Sequence, residues 1–167
     1  MTLRRWTEAD TEELVECVNG DPEISRWLDR IPQPYTLAEA RAYIAGETVP
    51  GETAFAITAT ASGRVLGSLG VAPAVNETRE IGYWLRTDAR GAGVTTRALV
   101  LASRWALALD GVERVQLRAD VENVPSCRVA EKAGFRRDGV LRSAYFNARL
   151  GRRQDWAIYS LLQADLA

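Results

Sequence analysis

Apolar residues recur along the chain with two different periods. Phe55, Ile57 and Ala59 alternate with smaller or polar neighbours, and after a Ser62-Gly63 turn the period of two resumes at Val65, Leu69 and Val71, which predicts a hairpin. A second turn near Asn76 leads into residues 79–85, a stretch rich in Ile, Tyr and Trp that has the character of a central strand. The spacing then becomes helical, with Ala98, Ala102, Trp105 and Leu109 on one stripe until Gly111. Val115, Leu117 and Ala119 return to strand alternation. A short helix from about Asn123 ends at Gly134, and two final segments, about 135–146 and 154–162, read as strands. Ahead of the hairpin, a short strand around residues 3–6 is followed by helices. The clearest helix start is Thr36-Leu37-Ala38-Glu39, a capping box that predicts a helix running to about Thr48.

The order is strand, helices, a meander of strands, helix, strand, helix, strand, strand. It predicts an α+β fold with mixed strand pairing. No repeat, low-complexity tract or linker interrupts the 167 residues, so one domain is expected, and a chain of this length buries roughly two-thirds of its extended surface.

Composition narrows the chemistry. The chain contains no histidine, which removes the commonest general base and metal ligand and excludes a Ser-His-Asp triad. Cys17 and Cys127 fit neither a zinc spacing nor a disulfide framework and read as free thiols, so no metal is expected. A net charge of -1 gives no general attraction for nucleic acid, and the local group Arg149, Arg152 and Arg153 reads as a solvated loop. The first ten residues carry charges and no apolar run, and no segment has the length of a membrane span; a cytoplasmic protein without a membrane partner is the expectation.

The most informative stretch is Tyr83-Trp84-Leu85-Arg86 leading into Arg90-Gly91-Ala92-Gly93-Val94-Thr95-Thr96 and then directly into a helix. A strand, a Gly-rich turn and a helix start converge several free N–H groups on one point, with the positive end of the helix dipole behind them. A phosphate or pyrophosphate is the natural occupant. The Gly-Lys-Ser/Thr of a Walker loop is missing, and Thr96 stands where a Rossmann fingerprint requires its third glycine.

What remains is an Arg/Gln-x-x-Gly-x-Gly/Ala pattern, and Arg90-x-x-Gly93-x-Thr95 resembles that signature of the GCN5-related N-acetyltransferases (GNAT), with Thr95 where the family prefers Gly or Ala. Asn123-Val124-Pro125-Ser126-Cys127-Arg128-Val129-Ala130-Glu131-Lys132-Ala133-Gly134-Phe135 is similar to a second region of the same family. Glu80-Ile81-Gly82-Tyr83-Trp84-Leu85 and the segment 151–162 are similar to its RimJ/RimL-like branch, and the resemblance spans essentially the whole chain in order.

The resemblance implies a mixed, mostly antiparallel sheet flanked by helices, splayed between the fourth and fifth strands, with the pantetheine arm of acetyl-CoA or another acyl-CoA lying in the gap. Carried over, the backbone of Leu85, Arg86 and Thr87 would pair with pantetheine. Arg90, Gly91, Ala92, Gly93, Val94, Thr95 and Thr96 would hold the pyrophosphate, and Asn123 and Ser126 would also touch the cofactor. The acceptor would be an amine, either a protein N-terminus in the RimJ/RimL manner or a small molecule such as an antibiotic, polyamine or amino acid. A homodimer is left open. A non-catalytic acyl-CoA-binding module is the reading from another class.

An alkylammonium, with a pKa of about 8 to 10, has to lose a proton before its nitrogen attacks a thioester. Glu80 resembles the family's base and would act through water, unless an arginine such as Arg79 or Arg118 pairs with it. A backbone N–H near Trp84 or Leu85 would face the developing oxyanion. Ser126 would support the departing thiolate, or else only cap a helix start, and Asn123 carries the same ambiguity. Tyr83, Tyr145 and Tyr159 are alternative acids better explained as packing residues, and Cys127 reads as packing too.

Overall fold

The computed structural model describes residues 1–166. Its strands are β1 (Thr2–Arg5), β2 (Thr53–Thr58), β3 (Val65–Val71), β4 (Thr78–Leu85), β5 (Arg114–Asp120), β6 (Arg136–Asn147) and β7 (Arg152–Leu162). They form one sheet in the order β1-β2-β3-β4-β5-β7-β6. Each neighbouring pair is antiparallel except β4 and β5, which run parallel because a crossover helix joins them. That exception is short: the β4–β5 ladder covers only Thr78–Glu80 against Arg114–Gln116, after which both strands continue without pairing.

The helices are α1 (Thr11–Gly20), α2 (Pro22–Trp27), α3 (Leu37–Ile44), α4 (Val94–Leu107) and α5 (Val124–Lys132). Strand alternation assigns them to two faces. Ile57, Leu69, Ile81, Leu85, Val115, Leu117, Ala157, Tyr159 and Leu161 form one buried cluster with Ala98, Leu99, Ala102 and Ala106 of α4 and Ala130 of α5. On the other face Trp6, Leu14, Cys17, Val18, Tyr35, Ala40, Ala56 and Val65 are buried together, with Trp84 packed against them.

Two expected element ends move. The capping box is present, with Thr36 N–H donating to Glu39 Oε2 at 2.6 Å and Glu39 N–H to Thr36 Oγ1 at 3.3 Å. The helix it opens stops at Ile44 rather than near Thr48, because Gly46 takes φ 77° and lets Glu47 N–H turn back to Ala42 O at 2.9 Å. In α4 the buried stripe runs through Ala98, Leu99, Ala102 and Ala106. Trp105 lies at its margin, edge-on to Phe55 at 5.3 Å, and Leu109 falls beyond the helix. Small alanines let α4 sit close to the sheet, and the large ring is left to its rim.

The arginines expected in a solvated loop are engaged. Arg149 donates to Ser25 O and Ile31 O, Arg152 pairs with Asp120 and Glu122 at 2.8 Å each, and Arg153 donates to Ser143. β6 is an edge strand with most of its residues exposed, and its pairing to β7 slips between Arg137 and Gly139 and again between Leu141 and Tyr145. None of the helices among the described residues is long and apolar enough to cross a membrane.

The start of the fold is fixed electrostatically. Arg4 forks onto both oxygens of the buried Asp10 at 2.6 and 2.7 Å, while Thr7 donates its N–H and hydroxyl to the same carboxylate. The guanidinium holds the Asp10 carboxyl down at about 2, against an ordinary 3.8. A depressed folded-state pKa gives stability that is complete above the unfolded value and disappears as pH falls through the folded one. The Asp10→Asn variant is therefore less stable than the parent at neutral pH. Thermal melts of the two proteins should converge between pH about 4 and about 2; a constant offset across that range would contradict the assignment.

Candidate active site

The site starts where β4 and β5 part. Ala72 N–H donates to Glu80 O, and Arg86 N–H to Leu66 O at 2.8 Å, so the even-numbered residues of this stretch turn their backbone groups toward β3. Backbone direction alternates along a strand, so Tyr83 and Leu85 turn theirs into the gap facing β5. Of the three residues expected to offer backbone there, Arg86 does not, because its N–H is spent in the sheet. Leu85 O accepts from Arg90 Nε at 3.0 Å, and Thr87 N–H donates to Asp21 Oδ2 at 2.7 Å. Among Leu85, Arg86 and Thr87, the Leu85 N–H is the donor that faces the gap. Trp84 N–H shares the parity of Arg86 and faces β3.

Beyond β4 the chain makes the anticipated anion cradle. None of the N–H groups from Gly91 to Thr96 donates to a partner among the described residues, and the first helical bond across the start of α4 is Arg97 N–H to Gly93 O. Gly91 and Gly93 take φ 81° and 70°. The latter is a conformation that L side chains rarely adopt, and a Cβ there would meet Arg97 Nη1 at 3.2 Å. Val94 and Thr95 are buried, so their side chains do not crowd the cradle from outside. The Arg90 side chain is turned back to Leu85 O and Asp21, which makes it a brace for the loop.

Two side-chain pairs bridge the gap, one on each face. On the face of α1–α3, Glu80 Oε1 accepts from Arg118 Nε and Nη2 at 2.9 and 2.6 Å, and Glu80 Oε2 accepts from Gln116 Nε2 at 3.1 Å. Arg118 in turn lies 4.5 Å from the ring centre of Trp156, which stacks on Tyr145 at 5.3 Å, and Arg30 sits 5.7 Å from Tyr145. On the opposite face, the Tyr83 hydroxyl lies 2.9 Å from Ser126 Oγ and 3.3 Å from Ser126 O. Burial pushes the Tyr83 phenol up to about 12, with the Ser126 hydrogen bond opposing part of that rise. Asn123 accepts Ser126 N–H at 3.3 Å as the N-cap of α5. Cys127 packs against the core near Asp120 O.

The structure thus brings Glu80, Leu85 and Ser126 to the margins of one gap that runs into the cradle of residues 91–96. Tyr145 and Tyr159 are not in it: Tyr145 donates to Asp29 Oδ1, and Tyr159 is buried in the core beside Glu131. The sequence left out Asp21. Its position before Pro22 reads as a helix cap, but nothing local indicates that its other oxygen reaches Thr87 and Arg90, about 66 residues away.

Residues 1–136 match the family described as "Acetyltransferase (GNAT) domain". The chain belongs to the GNAT family. Over its whole length it is 26% identical to the uncharacterized N-acetyltransferase p20 of Bacillus licheniformis, of which it covers 95%. Two solved acetyltransferase structures share its fold. One is RimL, a ribosomal L7/L12 alpha-N-protein acetyltransferase in complex with coenzyme A (TM-score 0.82, 19% identity, 96% of this chain and 92% of that one). The other is the spermidine N-acetyltransferase of Vibrio cholerae in complex with CoA and spermine (TM-score 0.81, 19% identity, 99% and 98%). The protein is a GNAT N-acetyltransferase, and the alternative of a non-catalytic binding module falls away. In GNAT terms the interrupted β4–β5 ladder is the family's splayed sheet.

Proposed function

We propose that this GNAT enzyme transfers an acetyl group from acetyl-CoA to the α-amine of a protein or peptide N-terminus. The observation that carries the cofactor reading is the pair of unpaired backbone donor sites along the gap. They are two separate groups, the Leu85 N–H in the gap and the N–H groups of residues 91–96 at the start of α4. The N–H groups of Arg86, Thr87, Ala89 and Arg90 are bonded within the protein between them, a spacing suited to an extended arm ending in a pyrophosphate. When bound, acetyl-CoA supplies an activated acyl thioester.

The roles of the chain's own groups follow from where they lie. The Leu85 N–H donates to the carbonyl oxygen as negative charge develops on it. Ser126 Oγ donates to the sulfur as it leaves, and the Tyr83 phenol, kept protonated by burial, donates to Ser126 behind it. Such a chain of hydroxyls delivers hydrogen-bonding power without a histidine. Glu80, on the other face of the gap, takes the ammonium proton through a water molecule while keeping its ion pair with Arg118, so that pairing and basic function coexist in this reading. Arg118 and Gln116 hold its carboxylate in place for that step.

The acceptor side favours a peptide over a polyamine. Arg30 and Arg118 flank the Tyr145–Trp156 stack, and the guanidinium of Arg30 pairs with none of the described carboxylates within 4.0 Å. A polyamine would bring several positive charges against this wall, whereas a peptide N-terminus brings one amine and a row of carbonyl acceptors. In a screen of N-terminal peptides, spermidine and small amines that follows free thiol release, the best peptide should exceed spermidine by at least about tenfold in kcat/KM. The reverse order would transfer the assignment to small amines.

Three substitutions test the residues. Gly93→Asp places a carboxylate in the cradle and should abolish the rise in melting temperature that CoA gives the parent. Ser126→Ala should lower kcat with little change in CoA affinity, and equal turnover would leave Ser126 as a helix-start residue. Glu80→Gln keeps the shape of the side chain while removing the base, so kcat/KM near pH 7 should fall by about 10²-fold or more, with a deficit that shrinks as pH rises and the amine arrives deprotonated. Parallel pH profiles would limit Glu80 to its ion pair.

A further inference from the structure

The helix α2 is hydrogen-bonded at its two ends to the segments that follow β4 and β6. At its start, Asp21 divides its two oxygens. Oδ1 caps α2 by accepting Glu23 N–H at 3.2 Å, while Oδ2 accepts from Thr87 N–H at 2.7 Å, the Thr87 hydroxyl at 2.8 Å and Arg90 Nη2 at 3.3 Å. The Asp21 side chain is only 12% exposed, so these bonds are shielded from solvent competition.

The other end of α2 is tied to the far half of the sheet. Asn147, the fully buried last residue of β6, donates to Arg26 O at 3.1 Å. Arg149, in the turn that follows, donates to Ser25 O at 3.1 Å and to Ile31 O at 2.6 Å. Asp29, just past α2, accepts from Tyr145 and from Ala148 N–H. Six residues of helix therefore join the loop that follows β4 to the turn that follows β6, and those two segments belong to opposite halves of the divided sheet.

We propose that α2 is a clasp across the mouth of the gap and that Asp21 is its positioning residue. It fixes the cofactor loop and the acceptor-side turn at one separation, so that an acyl-CoA filling the gap is felt at both. The inference rests on the reading of the gap as the acyl-CoA site. Two properties follow from the geometry. Loosening either end of the clasp widens the range of separations the empty protein visits, and a ligand that needs one separation then binds more weakly. The two ends also report on each other, because a rigid strut passes a displacement along its length.

The experiment measures CoA affinity by calorimetry and amide hydrogen exchange with and without CoA, for the parent, Asp21→Asn and Arg149→Met. Asn keeps the oxygen that caps α2 but cannot accept from Thr87 N–H with its amide nitrogen. Met retains the apolar stem of Arg149 and removes its two bonds, at a position that makes no hydrogen bond to the cofactor loop. Both variants should bind CoA about tenfold more weakly. In the parent, CoA should slow exchange at residues 91–96 and also across 22–31 and 147–151. In Asp21→Asn the slowing should persist at 91–96 and vanish at 147–151.

Parental CoA affinity in Arg149→Met, together with protection confined to 91–96 in the parent, would overturn the clasp while leaving the cofactor site standing. A parent that does not bind CoA at all would remove the cofactor reading and the clasp with it. Should Asp21→Asn fail to fold, the Arg149→Met affinity and the parent's exchange pattern decide the matter alone.

Discussion

Everything distinctive in this molecule depends on a ladder that stops. A parallel pair of strands normally continues for as long as both backbones can exchange hydrogen bonds, yet β4 and β5 exchange theirs over three residue pairs and then diverge. Backbone groups left open inside a sheet are costly unless something satisfies them. The divergence therefore amounts to a standing requirement for a third, strand-like partner. In this family that partner is the extended arm of the acyl donor, and the cradle at the start of α4 lies where such an arm would end.

The divergence also creates a mechanical difficulty, since half a sheet on each side of a gap has little to fix the angle between the halves. The chain answers with polar ties. Glu80 and Arg118 close one face just beyond the last paired residues, and Tyr83 and Ser126 join across the other. Such ties differ in kind from the apolar packing elsewhere. The residues of the α4–α5 core exclude water over a large area and set how stable the fold is. The bridging pairs, partly exposed in the case of Glu80 and Arg118, contribute little to that stability. Their contribution is geometric: each fixes the distance between the two halves of the sheet.

Much of this was legible in the sequence, for reasons specific to particular residues. The strand alternation at Val65, Leu69 and Val71, the capping box at Thr36 and Glu39, and the glycines at 91 and 93 each encode a local conformation, and the structure contains all three. The end of α3 was missed although Gly46 signals it, because the apolar and polar spacing continues past the cap. The backbone parity of Leu85 and Arg86 could not be read from side chains, since it is set by the register with Gly67 and Leu66 on β3. The pairing of Glu80 with Arg118 was anticipated as one of two outcomes. Choosing between Arg79 and Arg118 needed the parallel register that sets Glu80 beside Gln116. Asp21 was the largest omission: a residue with an adequate local explanation gives no sign of a second, distant one.

The slips in β6 have a meaning of their own. A twelve-residue strand at the border of a sheet, with Val140, Leu141 and Phe146 more than a third exposed, is by composition a template for another chain to add to. Asp138 and the stretch Arg142–Ala144 stand out of register with β7, and Ser143 turns through a positive φ of 53°. The border is thereby cut into lengths of a few residues with different twists. No foreign strand can pair along it in one register from end to end, a device by which sheet edges are guarded against edge-to-edge association.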